Sequence, residues 1–454
     1  MKTTKPPQQL KRSLGFWSAI SIVVGTIIGS GIFFKQASVL NSAHGSTMAL
    51  LAWVLGGVIT LTGGLTVAEI GAQMPYTGGL YVYIEKIYGR LAGFLAGWMQ
   101  VIVYGPALLG AVASFIGILL TNFFGLSSQW RIPLAILSLL VVGGLNFLGN
   151  KVGAAFSVAT TVGKLIPIAA IVIFGLFFGD NNALGQTVSQ ISSESGNFGI
   201  AVLSALFAYE GWILIANLGG EMKNPQKVLP KAITVGISIV LLVYAMITIG
   251  IFRFVPADMI QKMGQNTAAY FAVQAFGAIG GKLLTIGILI SMLGSLNGQV
   301  ITYPRIVYAM AERGDLPFSK ALTYVTPKSK SPVIATAFIM VIAVVMMVFM
   351  DPDKLSNLSI FTIYCFYILA FYGVFLLRKN KFAKRPFSTP LYPITPMIAI
   401  AGGMFVVVSQ IVHDPLGVLL FGGMVVSGLP VLFYMRRKAR QTENKNISIE
   451  TEED

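Results

Sequence analysis

Runs of about twenty apolar residues recur along the whole chain, and this repetition limits the fold more than any other feature. A helix of that length crosses the hydrocarbon of a bilayer, whereas barrel strands are shorter. Only 11% of the 454 residues are charged, and mean hydropathy is +0.77. A soluble domain carries about 25% charged residues. The reading is an all-α integral membrane protein with twelve transmembrane helices. They lie near 15–38, 46–72, 90–120, 130–149, 154–178, 198–219, 231–254, 273–304, 332–350, 355–377, 391–412 and 416–435. The first run is too long for a signal-peptide core and has no cleavage site, so it reads as a retained span.

The net charge of +15 superficially suits a nucleic acid, but the placement of the cations suits topology. Of 32 lysines and arginines, only Arg131, Arg253, Lys262 and Lys354 fall in loops on one side. Lys35, Lys164 and Lys282 lie within spans, and all the others collect on the opposite side. Cytoplasmic loops carry such an excess. The expectation is a cell-membrane protein with both termini cytoplasmic, the lipid bilayer as its surroundings, and no nucleic-acid partner. Residues 1–14 form a cytoplasmic segment, and the polar, acidic stretch 441–454 reads as a disordered tail.

The chain has one cysteine, Cys365, and two histidines, His44 and His413, in short loops. No cluster has metal-ligand spacing, so neither a metal nor a cofactor is expected. A hydrolase would need a nucleophile and base at membrane depth, and none is visible. The chain is therefore not read as an enzyme.

Two spans are interrupted. Span one contains Gly25-Thr-Ile-Ile-Gly-Ser-Gly-Ile-Phe, and span six contains Phe207-Ala-Tyr-Glu-Gly-Trp. Irregular backbone survives in a membrane only where protein covers it or where it lines a cavity. Close helix packing is one explanation for the glycines, since Gly25 and Gly29 have small-xxx-small spacing. The other is a binding site. Unwinding frees N–H groups at a half-helix N-terminus, which suit a carboxylate, and carbonyls at the other half's C-terminus, which suit an ammonium. Spans one and six are equivalent if two five-helix units repeat. Five is odd, so the repeat is inverted, with units at 15–178 and 198–377 followed by two helices at 391–435. Matched interrupted spans in such repeats mark transporter binding sites.

These motifs, with Gly219-Gly-Glu-Met-Lys-Asn-Pro and Pro75-Tyr-Thr-Gly-Gly-Leu-Tyr, resemble the amino acid–polyamine–organocation transporters. Gly163-Lys-Leu-Ile-Pro-Ile, Ala309-Met-Ala-Glu-Arg and Pro352-Asp-Lys-Leu-Ser resemble the L-type amino acid transporter branch, in particular its bacterial serine/threonine exchangers. The likeness runs over nearly all of 12–436. It implies a leucine-transporter-type fold, with 5+5 inverted repeats and discontinuous helices 1 and 6.

The resemblance also implies a site. The substrate carboxylate would meet backbone N–H groups of the Gly29-Ser30-Gly31 turn, chiefly those of Ser30 and Gly31, and the Ser30 hydroxyl. The ammonium would meet carbonyls of Ile27, Phe207 and Glu210. Phe207 and Trp212 would form gate and wall, Tyr104 of span three would contribute, and Gly294, beside Ser291 and Ser295, would shape the side-chain pocket. Lys164 would occupy the space of sodium in sodium-coupled relatives and link spans one and eight. The implied function is sodium-independent exchange of small neutral amino acids. Animal members bond a glycoprotein subunit through a cysteine between spans three and four. Residues 120–131 contain none, so no disulfide-linked heavy subunit is expected.

Three acids and a few polar residues stand out. Many members have glycine where this chain has Glu210. A carboxylate at membrane depth is a functional candidate. It either caps the broken helix, where negative charge is favoured, or binds a proton in a symporter. Glu69 and Glu221 read as gate ion pairs or solvated surface, contributing at most about 1 kcal/mol each. In span eight, Asn297 reads first as an interhelical hydrogen-bond partner.

Overall fold

A computed structural model describes residues 15–74, 79–148, 156, 159–179, 197–327, 331–380 and 384–452. The segment 1–14, the Pro75–Gly78 part of one motif and the Glu221 side chain lie outside what is described.

Among the described residues the elements are helices, with no strand. The first run is split into α1 (Phe16–Ile27), α2 (Gly31–Phe34) and α3 (Gln36–Ala43). Next come α4 (Ser46–Gln73), the short α5 (Gly79–Tyr88), α6 (Arg90–Phe123) and α7 (Arg131–Leu148). They are followed by α8 (Ala159–Phe178), α9 (Phe198–Tyr209), α10 (Pro225–Phe254) and α11 (Thr267–Glu312). The last four are α12 (Val333–Phe349), α13 (Pro352–Lys379), α14 (Ile394–His413) and α15 (Pro415–Glu452).

Each predicted span region holds a helix, and among the described residues 10 helical stretches are long and apolar enough to cross a membrane. The helices α9 and α12 are shorter. The shortness of α9 has a local cause, because its helix stops at Tyr209 and resumes as a 3-10 helix over Trp212–Glu221. The helix α15 runs on to Glu452, into the stretch whose polar composition had suggested disorder. Polar composition argues against burial, yet Lys, Arg, Gln and Glu are good helix formers that can extend an existing helix without a new nucleus.

Large apolar side chains face outward, among them Leu140, Ile166, Phe177 and Leu419. Buried polar groups, including Glu69, Lys35, Lys164 and Glu210, face inward. Such a distribution suits a hydrocarbon surround, where apolar exposure costs nothing and unpaired polar groups cost several kcal/mol.

Two local devices position the interior. Pro106 has no N–H to give to the carbonyl four residues back, and its ring crowds that carbonyl. The preceding turn, Gln100–Tyr104, widens into a π-helix in which the Gly105 N–H reaches the Gln100 carbonyl. Such bulges re-aim side chains and frequent functional sites. Asn224, ahead of Pro225, takes a left-handed conformation (φ 55°), outside the right-handed helical region that a following proline disfavours, and α10 starts afresh at Pro225.

Candidate functional site

The two interruptions predicted from sequence are adjacent in space. The helix α1 ends as Ile28 turns extended (φ −69°, ψ 103°), and Ser30 returns the chain to helical angles before α2. The helix α9 ends at Glu210 (φ −70°, ψ 149°), and Gly211 follows at φ 116°, which a side chain would strain. Gly211 sits so close to Thr26 that an added Cβ would lie 2.9 Å from the Thr26 carbonyl oxygen. The Thr26 hydroxyl is 3.3 Å from the Gly211 carbonyl. One turn further on, a Cβ on Gly31 would fall 2.4 Å from the Ala208 Cα, so only glycine permits this approach. Packing and site-building are therefore not alternatives here. The glycines let two broken helices meet, and their meeting exposes backbone groups of both.

The first N–H groups of a helix have no intrahelical acceptor. In α2 these belong to the turn Gly29-Ser30-Gly31, where a carboxylate was expected. Ser30 is buried at 3% exposure, and Gly29 packs on Ser295 of α11. On the carbonyl side, Tyr244 of α10 enters between the breaks. Its hydroxyl lies 3.1 Å from the Ile27 carbonyl and 2.9 Å from the Ala208 carbonyl. The predicted ammonium acceptor Ile27 thus already holds one partner, and sequence reasoning missed the tyrosine that provides it.

Lys164 sits at a turn within α8, 2% exposed. Its ammonium donates to the carbonyls of Gly25, at 2.6 Å, and Ile28, at 2.8 Å. Helix α11 reaches the same Ile28 carbonyl through the Ser295 hydroxyl at 3.4 Å. The lysine therefore fills the space under the first break with fixed positive charge, and its link to α11 runs through a shared carbonyl. Gly294 faces Thr160 of α8, where an added Cβ would lie 2.4 Å from the Thr160 hydroxyl oxygen. Asn297 pairs with Asn146 of α7 at 2.7 Å, the interhelical contact its residue type suggested.

Glu210 stands between the two halves of the broken span, where its side chain meets the Gly211 N–H just before the 3-10 segment Trp212–Glu221. It is the C-cap residue of α9, and one carboxylate oxygen accepts from Tyr104 at 2.7 Å and from Tyr367 of α13 at 2.9 Å. Tyr303 of α11 donates to the Tyr104 oxygen at 3.3 Å. The π-helical turn of α6 is what aims Tyr104 at this carboxylate. Trp212 lies on the Tyr367 ring, 5.3 Å between centroids. Phe207 stands one turn away against Phe115, 6.0 Å between centroids. Ile27, Gly29, Ser30, Gly31, Phe207, Glu210 and Trp212 thus lie at or beside the two breaks, Tyr104 and Lys164 reach them, and Gly294 packs on Thr160. Tyr303 and Tyr367 join them, and no single-sequence pattern marks those two.

Of the two alternatives for Glu69, an ion pair or solvated surface, the structure shows the ion pair. It is fully buried and receives Arg378 through two nitrogens, at 2.8 and 2.6 Å, with the Thr389 N–H at 2.7 Å. This is an interior pair in bidentate geometry, not a solvated one. The sequence places it near the inner end of α4, but only the fold shows that the 384–393 segment covers it.

A sequence model of the amino acid permease family matches residues 14–434. The serine/threonine exchanger SteT of Bacillus subtilis is 47% identical over 430 residues, covering 94% of this chain and 98% of that protein. The large neutral amino acids transporter small subunit 2 of Rattus norvegicus is 31% identical, covering 93% of this chain and 80% of that protein. The b(0,+)-type amino acid transporter 1 of Mus musculus is 28% identical, covering 96% and 88%.

Proposed function

Because this chain belongs to the amino acid permease family, we propose that it is a sodium-independent antiporter exchanging small neutral L-amino acids, serine and threonine among them. The substrate class rests on the similarity to a serine/threonine exchanger over nearly the full length of both proteins. The carrying observation is the pair of adjacent helix breaks with Lys164 beneath them. N–H groups at the start of α2 receive the carboxylate. Carbonyls of Ile27, Phe207 and Glu210 receive the ammonium. Such recognition reads the amino acid backbone, so side-chain choice falls to neighbours such as Tyr104 and Gly294.

Sodium independence follows from Lys164, whose ammonium already supplies the cation that the carbonyls of Gly25 and Ile28 require. Access alternates as one bundle rocks against another around this fixed site. The 5+5 inverted repeat over 15–178 and 198–377 gives that motion its symmetry, and the basic loops set both termini in the cytoplasm. A substrate-free carrier returns slowly, so transport is exchange.

The test is trans-stimulation in proteoliposomes. Labelled serine is expected to enter faster when unlabelled serine is inside, and equally well when choline replaces sodium. Equal entry into empty vesicles removes the exchange reading, and loss in choline removes sodium independence.

A second reading is a proton-coupled symporter of the same fold. Its support is Glu210, a buried carboxylate at the second break with two tyrosine hydroxyls on one oxygen. Accumulation driven by an imposed pH gradient, lost in Glu210→Gln, favours that reading. A Glu210→Gln carrier that keeps the wild-type response to pH and to an imposed pH gradient removes it.

A further inference from the structure

The segment joining α11 to α12 holds a backbone conformation that nothing inside the protein accounts for. Phe318 adopts left-handed angles (φ 56°, ψ 31°). For a bulky side chain this region is an outlier, and such strain persists only where the surroundings over-determine it. Packing would hold a buried aromatic there. Phe318 is instead 83% exposed, so its ring recovers almost nothing from the chain.

The turn around it is firmly fixed. Leu316 and Leu322, on either side, are buried. The Phe318 carbonyl accepts the Ala321 and Leu322 N–H groups at 2.9 and 3.1 Å and starts the single helical turn Ser319–Leu322. Asp315 is buried and accepts from Arg90, at the start of α6, at 3.1 Å. Arg313 reaches Glu85 of α5 at 2.6 Å. Two leucines and two ion pairs thus hold the segment to the body, while the ring is presented outward.

The surroundings in sequence are cationic and apolar together. Between Arg313 and Pro332 the chain has four cations, Arg313, Lys320, Lys328 and Lys330, and one acid, Asp315. That acid is already paired. Lys320, Tyr324 and Val325 are exposed. The segment also runs straight into the lipid-facing surface, because α12 exposes Ile334 and Val341. Aromatic rings at headgroup level, flanked by lysine and arginine, match the chemistry of an anionic leaflet.

We propose that Phe318 is an interfacial wedge, set among anionic phospholipid headgroups, with Lys320 as the phosphate contact. The leaflet supplies what the protein does not. It takes the ring out of water, and that transfer offsets the backbone strain. Through Arg90 and Glu85 the docked turn ties the ends of α5, α6 and α11 that meet here to the lipid. The proposal needs only the membrane setting and goes beyond the substrate assignment.

The experiment uses the full chain in lipid nanodiscs, with Cys365→Ser and a bimane label on Ala321→Cys, one turn from the ring. The discs hold phosphatidylcholine alone or mixed with phosphatidylglycerol, each doped with a lipid carrying a nitroxide near the headgroup. Acrylamide, a neutral quencher, reports exposure to water. The label is expected to be quenched by the nitroxide and protected from acrylamide, more so with phosphatidylglycerol. Phe318→Gly keeps the left-handed turn without strain and deletes the wedge. It is expected to lose the nitroxide quenching, and to unfold in detergent no earlier than the parent. Phe318→Trp is expected to match the parent. Lys320→Gln is expected to lower the docked-to-undocked ratio in phosphatidylglycerol about fivefold. Equal quenching in the two lipids, parent-like quenching in Phe318→Gly, or its earlier unfolding overturns the wedge. Full acrylamide access in every disc overturns it in favour of a soluble partner. Disulfide-linked pairs of Phe318→Cys, made in Cys365→Ser and reconstituted in liposomes, overturn it in favour of a second copy.

Discussion

Replacing Lys164 by methionine tests the central claim that a fixed ammonium holds the first helix break in shape. The substitution keeps the side-chain length and removes two charge-assisted bonds, at 2.6 Å to Gly25 and 2.8 Å to Ile28. A hydrogen bond to a charged group contributes about 1.5–3 kcal/mol in soluble proteins, but bonds between membrane helices average about 0.6. Two bonds bracketed in this way give roughly 1.2–6 kcal/mol for the ordered break, or about an eightfold or larger loss of the binding-competent population. Apparent affinity for serine falls by the same factor. Insertion moves the other way, since a lysine at helix centre costs about 2.5–3.5 kcal/mol that methionine avoids. Global stability is therefore expected to change little while exchange collapses. The assay pairs thermal unfolding in detergent with the concentration dependence of serine exchange in proteoliposomes. A Lys164→Met carrier with the wild-type serine dependence refutes the reasoning, because the carbonyls would then keep their geometry without a cation.

Three further outcomes follow from the same geometry. Gly31→Ala places a methyl 2.4 Å from the Ala208 Cα, so overpacking of about 1–3 kcal/mol is expected where the breaks meet. Loss of exchange together with a lowered unfolding temperature checks it. Tyr244→Phe deletes the hydroxyl between Ile27 and Ala208, at about 1 kcal/mol. The expected result is a KM raised about fivefold with protein yield unchanged, read from exchange against serine concentration. Glu69→Gln breaks a buried bidentate pair, which typically costs about 3–5 kcal/mol. It is expected to lower the unfolding temperature markedly, as followed by size-exclusion after heating, and wild-type stability would mean that Arg378 finds another partner.

Much of the fold was legible because the bilayer is an unforgiving solvent. Apolar runs of the right length have one helical solution there. The breaks were legible for the same reason, since Gly29-Ser30-Gly31 and Glu210-Gly211 stand out against an apolar background. Lys164 announced itself as a cation too deep to reach water. Tyr244, Tyr303 and Tyr367 did not, because a tyrosine in an apolar run looks like core. Its hydroxyl acquires meaning only when the fold sets it beside a freed carbonyl or a carboxylate. Lys35 carried a signal that went unused. An intramembrane lysine near a break is a functional candidate in its own right, but it entered the sequence argument only as a count toward topology. For Glu69 the ion pair was legible and its burial was not, because near a span end solvent is the default surround. Burial depends on which distant segment covers the site, and the cover here, Thr389, is more than three hundred residues away in sequence.

The misreadings share a physical cause, and it bears on how the carrier works. Residues at the breaks are constrained locally, by what the backbone can do in lipid. Lys35, Glu69, Tyr367 and Arg378 are constrained only by partners brought together through α13. That helix touches the remaining machinery at three levels: Asp353 on Lys35 at its start, Tyr367 on Glu210 in mid-helix, and Arg378 on Glu69 at its end. A helix so tied cannot move independently of the breaks. Any displacement that hydrates Lys35 must either shift the Tyr367 hydroxyl relative to Glu210 or bend α13 between them. A bound amino acid whose ammonium engages the Glu210 carbonyl acts on the same residue that α13 holds through its side chain. Substrate occupancy and the Lys35 contact are thereby coupled through Glu210. Tyr367→Phe, which leaves the Lys35–Asp353 pair intact but severs the middle tie, is accordingly expected to lower the exchange rate at saturating serine with protein yield unchanged, and a wild-type rate would show that α13 is not coupled to the breaks through Glu210.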